Sequence, residues 1–75
     1  MTSTALLDFF KNNCQEPKRL LVREIIRSVQ KVDENYTRRK TKTEINKLIE
    51  NKVITRKKEV RDESIFYIYK YKGIL

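Results

Sequence analysis

Apolar side chains recur along this chain with a helical period in three places and with a strand-like alternation near its end. The clearest stretch is 41–56, reading TKTEINKLIENKVITR. Thr41 and Glu44 are spaced as a capping box, in which the Thr hydroxyl satisfies a free N–H and the Glu reaches back. Ile45, Leu48 and Ile49 then fall at i, i+3 and i+4 and form one apolar stripe. Asn51-Lys52 ends this helix, Asn being well suited to a left-handed cap. The β-branched Val53-Ile54-Thr55 follows and begins a strand. A helix over 41–51 thus runs into a strand over 53–60, a charged turn Arg61-Asp62-Glu63-Ser64, and a returning antiparallel strand over 65–71. In that last strand Tyr67, Tyr69 and Tyr71 alternate with Phe66, Ile68 and Lys70, which suits an aromatic face packed on helices.

The preceding residues supply the covering helices. Leu6, Phe9 and Phe10 share one face of a first helix over 4–14, capped by Ser3 or Thr4, with Leu7 and Cys14 on its flank and Asp8 and Asn12 opposite. Lys11 lies about 120° from the centre of that stripe and points to solvent. Asn12-Asn13 weakens the helix and Glu16-Pro17 restarts it, because proline's missing N–H would have no partner at a first helical position. The stripe Leu21, Val22, Ile25, Ile26, Val29 and Val32 predicts a second helix over 17–32. Arg19, Arg23 and Arg27 run along its other side, and a solvated face accounts for Arg23 and Glu24. Residues 33–40 form a linker whose Tyr36 packs onto the core. Three helices followed by a two-stranded antiparallel wing make an α+β fold, a winged helix, over a single domain at 1–75.

A chain of 75 residues buries only about 60% of its unfolded surface, so most apolar side chains are committed to one core. Cys14 has no partner for an internal disulfide, and the absence of histidine excludes a zinc site. Both fit a reducing compartment, cytosol or nucleus. No apolar run approaches the roughly 18 residues that span a bilayer, so no membrane partner is expected. Enzyme chemistry lacks its usual parts: no His can serve as base, Gly73 alone cannot build a phosphate-cradling loop, and Cys14 has no His to activate it. A non-catalytic binding or acceptor module without cofactor or metal is the expectation.

The charge changes the picture further. Eighteen Lys and Arg against ten Asp and Glu leave +8, which points to an anionic partner, although a basic balance also serves solubility. Arg38, Arg39, Lys40 and Lys42 crowd before the third helix, where phosphates meet side-chain charge and helix N-terminal amides. Asn46 and Lys47 lie on that helix's exposed side, and Asn can bond adenine in a major groove. Arg56, Lys57 and Lys58 extend the set into the first wing strand, while Glu50, Asp62 and Glu63 oppose it.

With the elements placed, the residues resemble the C-terminal winged-helix domain of cullins, the scaffolds of multisubunit ubiquitin ligases. That family's second helix carries Leu-Val-x-Glu-Val, and this chain has Leu21-Val22-Arg23-Glu24-Ile25. The family's third helix ends Leu-Ile-Glu before an aromatic or aliphatic pair and an Arg, and here Leu48-Ile49-Glu50 leads through Val53-Ile54 to Arg56. The family's Tyr-x-Tyr is matched by Tyr67-Ile68-Tyr69. The resemblance implies that Lys11 sits where cullins accept a ubiquitin-like modifier, within Leu6-Leu7-Asp8-Phe9-Phe10-Lys11, with Asp8 in place of the family's Arg. It also implies a RING subunit and a conjugating enzyme as partners, a nuclear and cytoplasmic location, and a longer scaffold of which this is the C-terminal part. The residues read by themselves leave a second function open, a DNA-binding regulator using the basic set above.

Overall fold

The computed structural model describes residues 4–73. In chain order the elements are α1 (Ala5–Asn13), β1 (Lys18–Leu20), α2 (Val22–Gln30), α3 (Arg38–Glu50), β2 (Ile54–Arg61) and β3 (Ser64–Tyr71). The strands form one antiparallel sheet in the order β1-β3-β2. The fold is therefore α+β, with three helices and three strands among the described residues.

The additional strand corrects the expected second helix. Residues after Pro17 do not continue as helix; Lys18, Arg19 and Leu20 pair with Tyr69, Ile68 and Tyr67 of β3. Extended backbone here covers an edge of β3 that would otherwise leave its N–H and C=O groups unpaired. α2 then starts at Val22, with Leu21 in an extended N-cap conformation and no side-chain cap. Ile25 and Val29 are buried as the stripe requires, but Val32 lies beyond the helix end and is 78% exposed. Arg19, expected on the helix, instead sits on the outer face of the sheet.

α3 also starts earlier than the capping box suggests. Thr37 is the N-cap, its hydroxyl accepting from the Lys40 N–H at 3.1 Å. Thr41 is inside the helix and fully buried, so it faces the core and caps nothing. At the other end Lys52, not Asn51, takes the left-handed conformation, with φ 61°. Lys52 N–H donates to Ile49 C=O and Val53 N–H to Leu48 C=O, at 3.0 and 2.9 Å, which is a Schellman closure. This closure turns the chain at once into β2. The β2–β3 connection has two residues, Asp62 and Glu63, both with positive φ, between the paired Arg61 and Ser64.

The core lies between the helices and one face of the sheet. Leu6 and Phe10 of α1, Ile25 and Val29 of α2, Ile45 of α3, and Leu20, Ile54 and Tyr69 of the sheet are all buried. Phe10 meets Tyr69 with ring centroids 5.5 Å apart. Tyr36 packs into the core as expected and is fully buried. Each such large side chain contributes roughly 1.5–3 kcal/mol by burial. Cys14 is buried just past α1, and its C=O accepts from Tyr71 N–H at 2.6 Å, which ties the α1–β1 loop to the end of β3. At the start of α1 the Thr4 hydroxyl bonds the Asp8 carboxylate rather than capping the backbone; Ser3 lies outside the described residues.

Candidate nucleic-acid interface

The long basic helix α3 and strand β2 carry most of the charge excess. α3 has five Lys or Arg against two Glu, and β2 has four against one. Thr41 and Ile45 are buried on α3, with Leu48 and Ile49 half-buried. At 100° per residue the opposite side of the helix is then Arg39, Thr43, Asn46, Lys47 and Glu50, with Lys42 between the two sides and Arg38 in line with the buried stripe at the helix start. All seven are exposed.

Where α3 approaches the β2–β3 hairpin, a cleft of about 280 Å³ opens, lined by Lys42, Ile45 and Asn46 of α3, Val22 of α2, Arg56 of β2 and Tyr67 of β3. Its polar side chains are two cations, one amide and the Tyr67 phenol, with no carboxylate. Val22 also borders an adjoining hollow with Leu21, Arg23 and Arg38. Four cations, Arg23, Arg38, Lys42 and Arg56, thus line two hollows that have Val22 in common. Arg56 is held there by aromatic contact, its guanidinium carbon 5.1 Å from the Tyr67 ring centroid. Beneath it, burial pushes the Tyr69 hydroxyl above its ordinary pKa, and the Arg56 charge opposes that shift. Lys58, paired with Tyr67 across the hairpin, lies on the same face of the sheet and further out along it.

Other basic residues singled out from the sequence are placed elsewhere. The Lys40 ammonium sits 4.5 Å above the Tyr36 ring. Lys47 borders a mainly apolar groove on the α1 side of α3, with Leu6, Leu7 and Leu48. Lys57 pairs with Ile68 and so faces the opposite side of the sheet. On that outer face Arg19 stacks on Phe66 at 4.6 Å, and the Glu59 carboxylate stands 3.4 Å from Arg61 and 3.9 Å from Arg19. Lys11 is exposed in the last turn of α1 and lines none of this.

Arg23 and Tyr67 are the site residues that sequence reasoning passed over. Arg23 looked like a mid-helix surface residue because the helix start was placed at Pro17. Nothing in Leu21-Val22 signals an N-terminus, since Leu21 cannot cap by its side chain. Among the described residues no group of three or more His, Cys, Asp or Glu side chains is placed to hold a metal ion. Nor is any helix there long and apolar enough to cross a membrane. No known protein family, curated protein or solved structure matches this chain.

Proposed function

We propose that this chain is a winged-helix module that binds duplex DNA, with α3 in the major groove and the β2–β3 hairpin as the wing. The observation that carries this is the set of four cations, Arg23, Arg38, Lys42 and Arg56, lining two hollows that share Val22, beside the exposed Asn46. The element order and the β1-β3-β2 sheet support the winged-helix assignment. A helix about 10–12 Å across with its side chains suits the ~12 Å width of the groove. In this reading the cations contact phosphates and fix the register, while Asn46 and its neighbours face base edges.

The cullin resemblance implies a different role, with Lys11 as acceptor for a ubiquitin-like modifier and a RING subunit and conjugating enzyme as partners. Its support is that Lys11 is exposed on α1. That surface is separate from the cationic cleft, so the two readings are experimentally independent. The DNA reading is tested by fluorescence anisotropy with labelled duplexes over a range of salt. Binding should weaken linearly in log salt with a slope of about −0.9 per phosphate contacted. Absence of binding at low salt would remove the reading.

A further inference from the structure

The cleft between α3 and the hairpin is lined by two cations, one amide, one phenol and two aliphatic side chains, with no carboxylate among them. Two parts of a nucleic acid could enter such a space, a base or a phosphate. A base would need a free aromatic face on which to stack. Tyr67 is half-buried, and one face of its ring is already taken by Arg56 at 5.1 Å. The groups left open to a ligand are the Lys42 ammonium, the Arg56 guanidinium and the Asn46 amide. The two cations are donors only, and the amide contributes an NH₂ donor as well. That combination suits an oxyanion. The ring contact also restrains the guanidinium before any ligand arrives, which reduces the ordering cost of a forked contact to phosphate oxygens.

We propose that this cleft seats one backbone phosphodiester of duplex DNA, held jointly by Lys42 and Arg56, with Tyr67 acting as the positioning residue for Arg56. The inference rests on the DNA-binding reading above and adds that the two cations act on the same phosphate. A phosphate bridging α3 to β2 would lock the helix and the wing to the duplex as one body. This differs from two elements each gripping its own strand.

Shared and separate phosphates give different arithmetic. Lys42 and Arg56 are both exposed, so Lys42→Gln and Arg56→Gln remove no core packing. On a shared phosphate each single variant should weaken duplex binding by about tenfold, and the double variant by little more than that, because the second loss acts on a contact already broken. The salt slope should fall by about 0.9 in the double variant, as for one phosphate. A double variant weakened by about a hundredfold, the product of the singles, with the slope reduced by about 1.8, would overturn the shared seat and leave DNA binding intact. Failure of the unaltered protein to bind duplex would instead overturn the underlying reading. Arg56→Lys retains charge without the fork and should resemble Arg56→Gln more than the parent; full retention of affinity would remove the role given to Tyr67.

Inorganic phosphate titrated into the DNA-free protein at fixed ionic strength, followed by NMR of the Asn46 side-chain amide, separates the two sources of this chemistry. No saturation below millimolar concentration is expected of a seat that closes only on a duplex backbone. Saturable micromolar binding lost in both single variants would reassign the cleft to a free oxyanion.

Discussion

Cys14 and Tyr69 are two ionisable side chains whose protons the fold protects. Both are fully buried. Burial raises the thiol of Cys14 above 9.0, Lys18 opposing, and the hydroxyl of Tyr69 above 10.0, Arg56 opposing. In the unfolded chain these groups ionise near their ordinary values, while in the folded chain they hold their protons to higher pH. Over that interval the unfolded state binds fewer protons, so stability falls as pH rises. The contribution is therefore complete below about pH 9 and is lost above it. Urea midpoints should be level from neutrality to the mid-eights and then decline. Cys14→Ala should delay the decline toward the Tyr69 range while itself costing on the order of 1 kcal/mol. A midpoint unchanged into strongly alkaline solution would contradict the argument. The thiol should likewise react slowly with disulfide reagents in the native protein. At this scale the sequence told which residues are basic and which helix faces are apolar, and so singled out Lys42 in the basic cluster before the third helix and Asn46 on that helix's exposed side. It did not tell that Arg56 would meet Tyr67, because only the hairpin register decides which tyrosine stands beside which strand residue.

The elements divide by how local their causes are. α3 and the hairpin were legible because stripe, alternation and turn lie within one stretch of chain. β1 was not, since three residues cannot display an alternation, and their reason for being extended is the edge of β3 nearly fifty residues away. The apparent helical stripe from Leu21 onward concealed it, and Pro17 reads as a helix start although a proline can also stand just before a strand. The capping error in α3 has a similar origin, as both Thr37 and Thr41 can cap and tertiary burial chose Thr41 for the core. The hairpin turn still carries a cost that the sequence left in place. Asp62 and Glu63 have φ of 48° and 68°, a left-handed geometry that favours Asn-Gly in a two-residue connection. Neither carboxylate makes an ion pair among the described residues. The double change Asp62→Asn with Glu63→Gly should stabilise the protein by about 0.5–1 kcal/mol, the relief of a left-handed Glu being offset partly by glycine's freedom when unfolded. In a domain of this size that raises Tm by roughly 4 °C. A melting temperature that stays put or drops would mean that the turn is supported by contacts the backbone geometry does not reveal.

For the molecule as a whole the question is whether DNA would respond to net charge or to its placement. A body with +8 attracts a polyanion from every side at long range. The domain measures 41 × 28 × 19 Å, and at physiological salt the screening length is only about 8 Å. Cations on the far side of such a body are screened from a duplex seated on α3. Two sets of substitutions to Gln separate these effects, each taking the net charge from +8 to +5. One set is Arg38, Arg39 and Lys58, beside the cleft and along the hairpin. The other is Lys11, Arg27 and Lys31, none of which lines the cleft or the adjoining hollow. All six side chains are exposed, so both proteins should keep the parent fold by circular dichroism and melting. The first set should reduce duplex affinity by about a hundredfold or more at physiological salt and lower the salt slope by about 2.7, as three phosphate contacts are lost. The second should change affinity by no more than about threefold and leave the slope close to the parent's. Equal losses in the two proteins would mean that attraction by net charge is the whole effect, and α3 and the hairpin would then have no claim to be the DNA-binding face. The second set also removes Lys11, the residue on which the cullin-like role depends. Full duplex affinity in that protein would therefore show DNA binding to be independent of any modification at α1.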